Sequence, residues 1–278
     1  MPDIKKTLSD IGETVYEALT DEENARICDD IDEAACRERP LSFLLILVSS
    51  FLTKLGDALS SPKTTLAWAA TAVGAPAFVL GFLVPIRESG SMVPQLFIGS
   101  YIRQLALRKW VWVAGSLLQF LAVVSMGLVV LWLEGATAGW ALLALVTLFS
   151  LARGFCSVAA KDVMGKTIPK PKRGQLTGWS ASLAGAVVIG VGIVLMLPSD
   201  GRLGETVLGL LLMLAGALWL LASLVYAQLP EDPGETGGAR NAVEALRKLR
   251  LLASVRPFLR FVITRALLMC SALSGPFY

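Results

Sequence analysis

Apolar residues along this chain gather into long runs rather than alternating. From Leu41 onward the runs recur in blocks of roughly twenty, parted by short polar or basic segments. About twenty helical residues cross a hydrocarbon core of about 30 Å. The pattern therefore predicts an all-α, polytopic membrane bundle. Six transmembrane helices are expected, at Leu41–Ser61, Pro76–Ile102, Trp110–Leu133, Trp140–Ala160, Leu176–Leu197 and Thr206–Gln228. A seventh apolar segment begins near Pro257 and reads as cut short at Tyr278. Pro62 and Lys63, with the TTLAWAATAVG that follows, are expected to close the first span as its outer end and a short exit loop. Only the stretch from Glu134 to Gly139 separates spans three and four, which makes them antiparallel neighbours. Trp110, Trp112 and Trp132 suit interfacial anchors of the third span. The sixth is almost purely aliphatic and is expected to face lipid over much of its surface.

The first forty residues follow a different pattern. Ile4, Leu8, Ile11 and Val15 recur at helical spacing, and Thr20 with Glu23 forms a capping box for a second short helix. Residues 1–40 thus read as an acidic, helical tail, either a solvated lid or a dock for a soluble partner. Residues 41–228 form the bundle. Residues 229–256 read as a linker, flexible from Glu231 to Gly238, carrying a basic amphipathic helix, Asn241–Val255. Its Arg247, Lys248 and Arg250 suit anionic lipid headgroups. Residues 257–278 start the seventh span.

Composition sharpens this picture. Only 17% of residues are charged and mean hydropathy is +0.65, where a soluble domain carries about 25% charge. The net charge of +3 conceals twelve acids against five bases in the first forty residues. The apolar body excludes a soluble nucleic-acid module. Thirteen Lys or Arg lie in the basic loops after spans two, four and six, at 103–109, 161–173 and 240–256, against Lys63 and Arg202 on the other side. The positive-inside rule then places the N-terminus in the cytosol, with the protein in the plasma (inner) membrane. The absence of histidine excludes His-based zinc sites, proton relays and Ser-His-Asp catalysis. Cys28, Cys36, Cys156 and Cys270 have no metal-ligand spacing, and no cofactor is implied. GKT at 165–167 lacks the first glycine of a phosphate loop, since Ala160 stands there. The first forty residues contain no apolar signal-peptide core, and no nucleophile–base pair points to an enzyme.

Charges inside the spans are the candidate chemistry. Each costs at least ~2.5 kcal/mol near mid-bilayer unless it faces a partner or a water-filled cavity. Lys54 and Asp57 share a face of span one at i,i+3, where they could pair. Arg87 and Glu88 lie within span two, unless that helix breaks at Pro85 and leaves Arg87–Gln95 as a loop. Arg153 sits in span four. The five sum to +1, which suits an anionic or zwitterionic solute; alternatively they pair and merely hold helices together. In span five, Gly178, Ser182, Ala186 and Gly190 fall at intervals of four, a ridge expected to pack against another helix.

The run Gly99-Ser-Tyr-Ile-Arg103-Gln-Leu-Ala-Leu-Arg108-Lys109 resembles the loop between helices two and three of the major facilitator superfamily, G-x-x-x-D-R-x-G-R-R/K. Gly99 and Arg108 match. Arg103 stands at the acidic position and Ala106 at the second glycine. Arg153 with Cys156, Ser157, Ala159 and Ala160 is similar to that family's fourth-helix pattern, R-x-x-Q-G-x-G-A-A. PIRESGSMVPQ is similar to a segment of uncharacterised bacterial permeases. The fifth span lacks the G-P pair of many drug/proton antiporters. The resemblance covers residues 41–278 and implies the N-terminal half of a transporter, a fragment whose C-terminal half is missing. It implies a small-solute substrate, a possible coupling ion, and a gating loop at Gly99, Arg103, Arg108 and Lys109. A non-transporting sensor or scaffold, binding a soluble partner through the acidic tail, is the second reading.

Overall fold

The computed structural model describes residues 2–19, 39–92, 95, 99, 102, 104–196, 204–233, 257, 259–261, 263, 264 and 267. Among these residues all regular structure is helical: α1 Pro2–Leu19, α2 Arg39–Leu59, α3 Thr65–Ala72, α4 Ala77–Met92, α5 Lys109–Trp132, α6 Gly135–Thr167, α7 Lys170–Met196 and α8 Glu205–Ala227. The described residues from 257 to 267 are helical as well. Five helices, α2, α5, α6, α7 and α8, are long and apolar enough to cross a membrane. The six spans and partial seventh expected from the sequence reduce to these five among the described residues. The expected second helix at Thr20 and the basic helix Asn241–Val255 lie outside them.

Three boundaries differ from the sequence pattern, each for a local reason. Span one does not end in an exit loop. Pro62 offers no N–H and disfavours α geometry in Ser61 before it, so α2 stops at Leu59. The Ser61 carbonyl then accepts the Leu66 amide at 3.0 Å, and the chain re-enters a helix as α3. Leu66, Ala69 and Ala70 on α3 are buried in the core. Span two keeps its helix through Pro85, so the alternative with a loop from Arg87 does not hold. Bundled membrane helices tolerate such an interior proline. At 16 residues α4 is about 24 Å long, and Gln95, Gly99 and Ile102 beyond it are also helical.

The third difference lies in the expected basic loop at 161–173. α6 runs through it to Thr167, with Val163 and Thr167 buried and no proline before Pro169. Pro169 ends the helix by holding Ile168 extended, at φ −122° and ψ 127°. α7 begins at once at Lys170. α6 is 33 residues long, about 50 Å.

The core is built on glycines. Without a hydrophobic drive between helices in lipid, close van der Waals contact decides packing. A Cβ on Gly209 would lie 2.7 Å from Leu131, and one on Gly127 would lie 2.8 Å from the Gly209 carbonyl. Gly216 has the Val124 side chain at 2.6 Å by the same construction. These positions hold α8 tightly along α5. Gly56 on α2 likewise admits Trp219 of α8, whose ring meets Phe149 edge-on at 5.2 Å. The aliphatic sixth span thus packs on α5 and α2 with one face, while Leu210, Leu214, Leu221 and Leu224 leave its other face exposed, in keeping with the lipid contact expected of it. α5 and α6 pack as antiparallel neighbours, with Gly115 against Cys156. α4 packs on α6, where Gly139 fits against Val79.

Two helices sit at the periphery. α7 packs along α2 through Leu176, Ser180 and Ala184, all buried. The Gly178–Ser182–Ala186–Gly190 ridge lies on its other side and is exposed; a Cβ on Gly178 or Gly190 meets nothing within 4 Å. The expected ridge contact is therefore not made among the described residues. α1 docks on the start of α2: Gly12 abuts the Pro40–Leu41 backbone and Tyr16 packs edge-on against Phe43 at 5.3 Å. Among its described side chains Gly12 and Tyr16 are buried, whereas Ile11 is exposed.

Candidate functional site

Side chains from three helices meet halfway along the bundle. Gly56 lies against Ala215 and Trp219, in the middle of α8, so neighbouring Asp57 stands at mid-length as well. One oxygen of Asp57, Oδ1, accepts Arg87 Nη2 at 2.7 Å and Arg153 Nη1 at 2.5 Å. A single carboxylate on α2 thus ties α4 and α6 together. Just beyond it α2 breaks, and Arg87 Nη1 reaches the Ser60 carbonyl at 3.5 Å. The structure brings together Asp57, Arg87 and Arg153.

The two arginines are held differently. Arg87 is 5% exposed, and its guanidinium lies over the Phe149 ring at 4.2 Å. Its backbone is fixed too: Ser150 Oγ on α6 lies 2.7 Å from the Arg87 carbonyl and 3.0 Å from that of Ile86. Gly90 leaves the room for Ser150 to approach. Arg153 is 39% exposed, and among the described residues its one hydrogen bond goes to Asp57. A guanidinium carries five N–H donors, so most of those on Arg153 are uncommitted.

The remaining two predicted charges stand apart. Lys54 does not pair with Asp57. It points to α7 and donates to the Thr177 carbonyl at 2.8 Å and Ser180 Oγ at 2.6 Å. The i,i+3 spacing puts both on one side of α2, but the two side chains diverge to different neighbours. Glu88 is exposed, contrary to its expected burial. Ser50, Thr53, Lys54 and Asp57 are half-buried polar residues along α2, continued by Ser61 just past its end, and Arg153 of α6 meets them at Asp57.

A second charged cluster gathers where α5 starts and α6 and α8 end. Glu231 is 0% exposed and accepts the backbone amides of Arg108 and Lys109 at 3.1 and 2.7 Å, capping α5. Lys166 Nζ reaches it at 3.1 Å, and Lys109 Nζ donates to the Leu229 carbonyl at 2.7 Å. Arg108 pairs with Asp162 at 3.4 Å. Of the expected gating loop, Arg108 and Lys109 join this cluster. Gly99 is helical and half-buried, and Arg103 lies outside the described residues.

Sequence reasoning placed Glu231 in a flexible linker and missed Asp162 and Lys166 by treating 161–173 as loop. An acid directly after the Leu229–Pro230 end of a span was the available signal. Trp112, expected at an interface, is buried and stacks on Tyr226 at 4.0 Å, while Trp110 and Trp132 are exposed. A polar nest of Gln119 Nε2 on Cys156 Sγ at 3.1 Å, beside Ser116, was also unforeseen. Comparison of the chain with protein-family models, curated proteins and solved structures finds no match in any of the three.

Proposed function

We propose that this chain is a bundle of a secondary active transporter of major facilitator type, moving a small anionic or zwitterionic solute by alternating access. The observation that carries this reading is the charged site at mid-length, supplied by α2, α4 and α6 and left partly open at Arg153. Ionisable groups inside a membrane span usually mark a solute or ion pathway. A broken helix at the site supports the same view, since transporters commonly bind solute beside discontinuous spans. In this reading α2 and α3 together make span one and α4 continues as span two, giving six spans ahead of the apolar segment from Pro257. The end bearing Lys109, Lys166 and Lys170 faces the cytosol, in the plasma membrane. The Glu231 cluster closes that end, where the family resemblance places its gate. A coupling ion completes the mechanism.

Accessibility of the polar residues along α2 tests the proposal. Cys28, Cys36 and Cys270 are replaced by Ser, and Thr53→Cys is labelled in oriented vesicles with a membrane-impermeant thiol reagent. Alternating access exposes Thr53→Cys to reagent from either side of the membrane. Protection from both sides, or labelling from one side alone, would overturn it. The second reading, a scaffold, is favoured by the exposed Asp10, Glu13 and Glu17 of α1. It requires that neutralising those three acids abolish capture of a soluble partner while labelling of Thr53→Cys stays one-sided.

A further inference from the structure

The two arginines on Asp57 divide their work, and the division points to a class of solute. Three groups hold the Arg87 guanidinium: Asp57 Oδ1, the Ser60 carbonyl and the Phe149 face. Among the described residues Arg153 is hydrogen-bonded only to Asp57, through one nitrogen, and it is the more exposed of the two. Both bonds converge on the same carboxylate oxygen, so neither arginine is engaged in the parallel two-point geometry that guanidinium and carboxylate favour. Asp57 can neutralise one of them. Once Arg87 keeps it, Arg153 has no other ion pair among the described residues. Across Lys54, Asp57, Arg87, Glu88 and Arg153 the balance is one positive charge. A monoanion brings that balance to zero, whereas a dianion reverses it.

We propose that the site takes a small monocarboxylate, whose two oxygens meet Arg153 in a two-point contact as it leaves Asp57, while Arg87 stays on Asp57 and positions it. Asp57 is then an internal stand-in: a carboxylate that holds Arg153 in place until the solute's own carboxylate replaces it. No bond is made or broken covalently, and no proton need move. The inference rests on the transport reading for why the site is reachable, and it concerns binding alone. The planar guanidinium fork, not charge by itself, sets the preference, so lysine at 153 is a poor substitute.

Thermal melting of the purified full chain in nanodiscs tests this, with acetate, lactate and benzoate as probes. Their neutral amides and inorganic phosphate, at matched ionic strength, serve as controls. At least one monocarboxylate should raise the melting temperature saturably, and its amide should not. Arg153→Lys should weaken that carboxylate's apparent affinity at least tenfold. Asp57→Asn, which removes the competing carboxylate, should strengthen it several-fold in whichever preparations fold. Equal response to carboxylate and amide, phosphate binding tighter than every carboxylate, or unchanged affinity in Arg153→Lys would each overturn the inference. Failure here alongside two-sided labelling of Thr53→Cys would leave transport standing and reject only the carboxylate. One-sided labelling alongside carboxylate binding would reject transport instead.

Discussion

Asp57 serves two cations with one oxygen, and the substitutions at this site should not be equivalent. Arg87→Gln breaks a pair whose cation is 5% exposed and removes the packing on Phe149. Losing one partner of a buried pair costs about 3–5 kcal/mol. Arg153→Gln leaves Asp57 with Arg87, and Arg153 is 39% exposed, so its loss should cost less than half as much. Denaturation in mixed micelles, comparing the two variants with wild type, checks the ranking; equal losses would show that Arg153 is as structural as Arg87. At Glu231 the argument is about caps. Glu231→Ala strands the amides of Arg108 and Lys109 at the start of α5 and unpairs Lys166. A buried donor left unsatisfied costs about 1–3 kcal/mol, and the same assay should read a loss in that range.

Between elements, contact is governed by where glycines fall rather than by how many there are. Gly209 and Gly216 on α8 face α5 at distances that leave no room for a side chain. Gly209→Leu should cost about 1–3 kcal/mol by overpacking. Gly190→Leu on the exposed α7 ridge should change stability by less than about 0.5 kcal/mol. Parallel melting curves of the two variants decide the matter, and a loss from Gly190→Leu would show that the ridge has a partner after all. Regular spacing made the α7 ridge conspicuous in the sequence. The α8 glycines are seven apart and gain meaning only beside Gly127 and Val124 of another helix.

Over the whole molecule, stability should grade from the centre outward. α5 and α8 pack on each other, with α6 and α2 against them, whereas α7 rests on α2 and is the least buried of the five long helices. Local opening follows the number of buried contacts. Hydrogen exchange should therefore be slowest in α5 and α8 and faster in α7. Comparable protection of α7 would mean that its exposed face is covered in the intact membrane. Burial of Tyr16 against Phe43 predicts that α1 is protected as well, at least around Gly12–Tyr16.

The all-helical class, the long apolar helices and the five candidate charges were readable from sequence, because run length and the rarity of charge in apolar runs are local properties. Helix ends were less so. Pro62 and Pro169 marked two breaks, but whether the chain resumed as helix depended on burial of Leu66 and on the continuity of α6 through Lys161–Thr167. The partners of those charges were not readable at all. Lys54 lies three residues from Asp57, yet it turns to Ser180, 126 residues away, while Asp57 finds Arg87 and Arg153 across 30 and 96 residues. Glu231 looked like linker until α5 and α6 closed around it. Sequence fixes which side chains must be compensated; only the packed bundle sets the distances over which charge can be, since ion pairing falls off within a few ångströms of space and knows nothing of separation along the chain.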